Sequence, residues 1–296
     1  MSLRLEMLQV ARLAPAVLGN EAAKLVERFV LGRRNPDGGF QDRDGESDLY
    51  YTSFAVDCLT ALQSDWEKEP LAAFLTQAAN SPDELDFVHL CCLIRLISAI
   101  GSPGLTGHLS PLFDRLEGFR SIDGGYNQID SADTGSAYAC FLAYGAYSDH
   151  GRPLPDPDRV VRCLDSLATQ SGGWTNDTIF PVPNVPATSA AITVLRNLRH
   201  PIPENTANWL LGAFHVESGG FLPFPDAPMP DLLSTAVALH ALDGLQVPFG
   251  NLKEPLLDFI DTLWTAEGGF HGTWDDDDLD IEYTYYGLLA LGHLAL

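Results

Sequence analysis

Residues 219–235 read Gly-Gly-Phe-Leu-Pro-Phe-Pro-Asp-Ala-Pro-Met-Pro-Asp-Leu-Leu-Ser-Thr: a glycine pair, an aromatic residue, an irregular acidic loop, then an Asp opening an apolar stretch. The signature recurs at Gly38-Gly39-Phe40, Gly124-Gly125-Tyr126, Gly172-Gly173-Trp174 and Gly268-Gly269-Phe270. From first to last, the glycine pairs lie 86, 48, 47 and 49 residues apart, so the first interval spans two units, one without its glycines. Self-similarity at this period marks stacked supersecondary units that bury their hydrophobic faces only against one another.

The stretches after the loops align at Asp48, Asp86, Asp133, Asn184, Asp231 and Asp280, the one at Asp86 supplying the missing unit. Asp and Asn accept the orphan N–H groups of a helix start, so each stretch reads as a capped helix. These six are apolar nearly all round. The segments before the loops (roughly 21–32, 67–79, 105–118, 157–169, 203–214 and 251–265) mix charged and apolar faces, as outer helices do. The glycines read as left-handed caps closing those outer helices. Six such pairs predict an all-α fold, an α6/α6 toroid over residues 21–296 as a single domain. Residues 1–20 form an extra capping helix over one end. Every acidic loop joins an outer helix to the start of an inner one, so all lie at one mouth.

Composition narrows the partners. With 296 residues, 46% of them apolar, the chain holds ample material for a large core. No apolar run reaches the length of a membrane span. The net charge of −23 disfavours nucleic acid and anionic membranes and leaves a cationic partner, a metal or a neutral apolar ligand. Five cysteines, Cys58, Cys91, Cys92, Cys140 and Cys163, lie in apolar helical text without metal-like spacing, as buried reduced thiols of a cytoplasmic protein do.

The repeat resembles that of the protein prenyltransferase β subunits and the squalene and terpene cyclases, which share the glycine-aromatic loop, the Asp cap and a Thr four residues later, here Thr52, Thr188, Thr235 and Thr284. The resemblance spans residues 21 to 296 and implies the toroid; activity lives in the site. In the prenyltransferases zinc is held by positions matching Asp231, Leu233 and Tyr283, of which only Asp231 is a ligand type, so zinc is not expected. Their diphosphate cations are replaced here by Phe224-Pro225-Asp226-Ala227-Pro228-Met229-Pro230 and Asn184, which argues against zinc-dependent protein prenylation. The class II cyclases protonate their substrate from an Asp-x-Asp-Asp-Thr motif. Asp280-Ile281-Glu282-Tyr283-Thr284 keeps an acid at the cap and at the second position beyond it, with Tyr283 in place of the third. The β-subunit likeness leaves room for a partner subunit.

Residues 275–282 carry six acids: Asp275, Asp276, Asp277, Asp278, Asp280 and Glu282. Three readings fit. Crowding raises a carboxyl's pKa and leaves a proton donor, Asp280 or Glu282. The cluster could instead hold Mg²⁺ or Ca²⁺ through carboxylate oxygens: Asp276, Asp277 and Asp280 resemble the metal-diphosphate motif of class I terpene enzymes, which implies Mg²⁺ as the cofactor. Or the run is a solvated loop before a capped helix. Tyr50, Tyr51, His89, Tyr283 and Tyr286 near the inner-helix starts, with Trp174, Phe224 and Trp274 in the loops and Asp231 at its cap, form the expected pocket for an isoprenoid-like apolar molecule. Asp57 and Arg95 stand nine residues past their caps on neighbouring helices and are expected to pair in the wall. The favoured function is isoprenoid chemistry of the cyclase or prenyl-transfer kind. The alternatives are a prenyltransferase-like transferase with an atypical site, a catalytically inactive toroid that binds a protein or lipid, and a glycan-active α6/α6 barrel.

Overall fold

A computed structural model describes residues 2–296 of the chain. It opens with α1 (Leu3–Ala11) and a short α2 (Pro15–Leu18). Outer and inner helices then alternate: α3 (Asn20–Leu31) and α4 (Leu49–Ala61), α5 (Glu69–Ala79) and α6 (Phe87–Ile100), α7 (Leu109–Glu117) and α8 (Ala137–Asp149), α9 (Pro157–Leu167) and α10 (Val185–Asn197), α11 (Thr206–Gly212) and α12 (Leu232–Gly244), α13 (Lys253–Leu263) and α14 (Ile281–Leu294). Each inner helix packs on the inner helix before and after it, and α14 packs on α4, closing the ring. The chain is an all-α toroid. Its one small sheet among the described residues pairs β1 (Phe40–Gln41) antiparallel with β2 (Ser47–Asp48) in the first mouth loop.

Asp48, Asp86, Asn184, Asp231 and Asp280 each cap their inner helix, accepting a bond from the backbone N–H three residues on. The third helix corrects the alignment: its cap is Ser136, which accepts from Ala139 N, and Asp133 lies out in the loop. The position four residues past the cap explains the slip. Thr52, Thr188, Thr235 and Thr284 each accept, through Oγ1, the N–H of the aromatic residue after the glycine pair, at 2.9, 2.8, 3.0 and 3.4 Å. In the third repeat the Cys140 sulfur does this for Tyr126 at 3.4 Å, so no Thr marks the register.

The glycine pairs do not cap the outer helices. They end a turn that follows, as where Gly38 N bonds Asn35 O at 3.0 Å. Gly38 has a φ of +97° and a Cβ there would lie 2.2 Å from Pro70 of the next outer helix. A side chain is excluded twice over. At the far end of the chain, a Cβ on Gly268 would lie 2.3 Å from the Leu25 carbonyl oxygen. The pair of one repeat thus seats on the outer helix of the next, and the last seats on the first.

Helix α1 closes the end opposite the mouth. It lies against α14, α4 and α8. Leu3 N bonds Ser148 Oγ at 3.3 Å, Arg4 N bonds Asp149 Oδ1 at 3.1 Å, and Glu6 pairs with Arg196. No helix is long and apolar enough to cross a membrane among the described residues.

Candidate active site

Because all six inner helices start at the mouth, residues at equal distance past their caps lie at equal depth. The lumen between them is a cavity of about 250 Å³. Two residues past the caps, Tyr50, Tyr138, Pro186 and Leu233 ring its upper end. Five and six past, Phe54, Phe141, Tyr285 and Tyr286 form an aromatic middle; nine past, Asp57, Arg95, Thr193 and His240 ring the lower end, and Met7 of α1 is the floor.

Glu282 is also two residues past its cap and is the only acid at that position of the inner helices, but it does not itself line the cavity; it stands behind Tyr50, which does. Its Oε1 accepts a 2.6 Å bond from the Tyr50 hydroxyl, which in turn meets the hydroxyl of Tyr138. Burial pushes the Glu282 carboxyl up to about 7; the Tyr50 bond pulls it down and the nearby Asp280 charge raises it further. A carboxyl so raised keeps part of its population protonated near neutrality, the form from which a general acid works. The cause differs from the crowding expected of the acidic run: desolvation leads.

Asp280 is engaged differently. It is 3% exposed, caps α14 through Oδ1 to Tyr283 N at 2.9 Å, and receives Arg43 on Oδ2 at 2.8–2.9 Å. Burial pushes its carboxyl up, opposed by the Tyr283 N–H and the Arg43 guanidinium. Arg43 also binds Asp276 at 2.9 Å and Asp278 at 3.6 Å. The guanidinium therefore stands where Mg²⁺ would have to bridge Asp276 and Asp280, while Asp277 is exposed and apart from them. These residues do not fit a metal ion. Among the described residues no group of three or more His, Cys, Asp and Glu side chains is arranged to hold one.

The remaining expected residues scatter. Tyr50 and Tyr286 line the cavity, whereas Tyr51 and Tyr283 stand beside Arg43 at the mouth. His89 bridges two caps, bonding Asp48 at 2.7 Å and Asp86 at 2.8 Å; these two bonds outweigh burial and raise its pKa to about 9. Asp231 is occupied by its own helix start, bonding Ser234 N at 2.6 Å and Ser234 Oγ at 2.8 Å. Trp174 is buried in the wall, its indole N–H donating to Leu164 O at 2.9 Å. Phe224 is 44% exposed on the rim, and Trp274, 47% exposed, donates to Thr262 and packs on Phe259 of the outer ring. None of these three reaches the cavity. Asp57 and Arg95 do share one depth, yet they take other partners: Arg4 Nε bonds Asp57 at 2.5 Å and Arg95 Nε bonds Asp149 at 2.8 Å.

Sequence reasoning missed Arg43, Arg4, Met7, Phe54, Tyr138 and Phe141. The loop cation was findable: closing a six-fold ring sets the first mouth loop beside the sixth, and Arg43 lies in the first.

The model of the prenyltransferase alpha-alpha toroid domain family matches residues 13–113 and 188–295, more than half of the chain. No curated protein matches it. Among solved structures it is similar to a protein from Actinoplanes, at 18% identity and a TM-score of 0.63 over 93% of this chain and 99% of that one. It is also similar to the type II terpene cyclase MstE from Scytonema, at 12% identity and a TM-score of 0.61 over 97% and 98%. A variant of that cyclase in complex with its product, merosterolic acid A, aligns at 14% identity with a TM-score of 0.59 over 99% and 98%. At such identities the likeness is one of fold.

Proposed function

The chain belongs to the prenyltransferase alpha-alpha toroid domain family, and on that premise we propose that its lumen takes up a short isoprenoid and that Glu282 protonates it. The observation that carries this reading is the Glu282–Tyr50 pair: a half-buried carboxyl raised to about 7, bonded at 2.6 Å to a hydroxyl that lines an aromatic cavity. A cavity of about 250 Å³ lies just below the usual size of ligand pockets, roughly 300–1,000 Å³. It suits one compact apolar molecule. Likeness in fold to a cyclase with a bound terpenoid product supports the same ligand class.

The chemistry is proton-initiated rearrangement or cyclisation. The π pair of an alkene takes the carboxyl proton, forming a C–H bond as the O–H bond breaks. The faces of Phe54, Phe141 and Tyr286 stabilise the resulting carbocation. Loss of a neighbouring C–H proton, returned to the carboxylate, restores an alkene. No metal and no leaving group take part.

Asp280 is a positioning residue here, since its oxygens are taken by Arg43 and by the start of α14. The glycan reading, which needed Asp280 or Glu282 over a Trp274 platform, loses that arrangement, because Trp274 faces the outer ring and Asp280 is already paired. Incubating the protein with unsaturated isoprenoid hydrocarbons, alcohols and diphosphates, followed by product analysis, tests the proposal. We expect products that disappear in Glu282→Gln and do not require Mg²⁺. Turnover undiminished in Glu282→Gln would sink it.

A further inference from the structure

The lower end of the cavity carries polar atoms that the fold leaves without partners. Asp57 uses Oδ1 for Arg4, and Arg95 uses Nε for Asp149. Among the described residues nothing bonds Asp57 Oδ2, the Arg95 terminal nitrogens or the Tyr285 hydroxyl, and all three residues line the cavity. Asp57 is 9% exposed and Tyr285 3%. These atoms face the cavity, where the buried Ser189 Oγ and His240 Nε2 are also without a partner, so a polar group placed there gains hydrogen bonds that no protein group supplies.

Their charges say what it is. Arg4 and Arg95 balance Asp57 and Asp149, so the lower end is neutral as a set and an added ion of either sign would be uncompensated there. A neutral group that both donates and accepts satisfies it. We propose that the closed end of the lumen is a subsite for the hydroxyl of an isoprenoid alcohol, donating to Asp57 Oδ2 and accepting from Arg95 and the Tyr285 hydroxyl. This rests on the reading of the lumen as an isoprenoid pocket and adds which end of the ligand goes in first. A hydrocarbon leaves all three groups unpaired; an aldehyde, which only accepts, leaves Asp57 unpaired.

The spacing is compatible with the acid at the other end. Glu282 lies two residues past its cap and Asp57 and Arg95 nine past theirs, a difference in depth of about 10 Å at 1.5 Å per residue. A short isoprenoid chain spans that distance, so an alcohol anchored at the closed end presents its far alkene to the Tyr50–Glu282 pair.

The test is calorimetric titration of the full chain with farnesol and geraniol against farnesene, farnesal and farnesyl diphosphate, each dispersed in the same non-ionic detergent. We expect the alcohols to bind about tenfold or more tightly than the hydrocarbon and the aldehyde, and the diphosphate to bind weakest. Tyr285→Phe removes only a hydroxyl that no protein group uses. It should weaken farnesol several-fold and leave farnesene unchanged. Asp57→Asn should weaken farnesol further, and if it fails to fold Tyr285→Phe carries the comparison. Equal binding of farnesol and farnesene, tightest binding of the diphosphate, or an unaltered farnesol affinity in Tyr285→Phe would overturn the subsite while leaving the isoprenoid lumen standing. If none of the five binds, the lumen reading fails and the subsite falls with it.

Discussion

The two ends of the lumen handle charge in opposite ways. At the closed end every ion has a dedicated partner, Arg4 with Asp57 and Arg95 with Asp149, all shielded by α1. At the mouth one guanidinium, Arg43, serves Asp276, Asp278 and Asp280, and Glu282, two residues on from Asp280, bonds only the Tyr50 phenol. The difference shows how a ring of similar helices pairs its charges one to one at one end and shares a single cation among several acids at the other. At Asp57 burial raises the carboxyl's pKa and the charges of Arg4 and Arg95 oppose it. A carboxyl that is buried with only a hydroxyl keeps its proton near neutral pH.

The largest effect should come from breaking the closed end. Asp149→Ala leaves the buried Arg95 unpaired and removes the acceptor for Arg4 N, and we expect a loss of roughly 3–5 kcal/mol by denaturant unfolding. A loss below about 1 kcal/mol would mean that water reaches that end freely. The next effect separates the ends by pH. Glu282 has a folded-state pKa raised from 4.5 to about 7, so the folded protein holds more protons than the unfolded chain between those values. Its contribution is full below about 4.5 and is lost as the pH rises through 7, a fall on the order of 3 kcal/mol. Stability curves of Glu282→Gln should lack that slope, and parallel curves for the two proteins would contradict the assignment.

Smaller effects fall on the matched carboxylate at the mouth. Asp280→Ala should lose about 1–2 kcal/mol, chiefly the helix cap, and Asp280→Asn less, since Asn caps nearly as well. Smallest is Arg43→Ala. Its side chain is 38% exposed, so the ion pairs are screened and the loss should stay under about 1 kcal/mol and shrink with salt. The same substitution removes a charge that lowers the Glu282 pKa, so the Glu282 titration should move upward. A downward move would show that Arg43 does not act on it.

The toroid was legible because five glycine-aromatic copies and a Thr in fixed register encode it many times over. The error at Asp133 came where Cys140 replaces that Thr, removing the mark that ties loop to helix. Depth in the lumen was also legible, and it placed Asp57 and Arg95 at one height. Their partners were not: Arg4 lies on α1, outside the repeat, and Asp149 at the far end of α8. Loop aromatics were the least readable. Whether Trp174 or Trp274 turns toward the wall, the outer ring or the lumen depends on loop conformation, which carries no periodicity. Arg43 reaches Asp280 only because the ring closes, a contact between residues 237 apart.

That Glu282 is the acid of the lumen is tested most directly by following its side-chain carboxyl carbon by NMR across pH 3–9, assigned by comparison with Glu282→Gln. We expect a midpoint near 7. A midpoint at the ordinary glutamate value, roughly 4.3, would show the carboxyl to be solvated and ionised at neutral pH, and Glu282 could not be the proton donor.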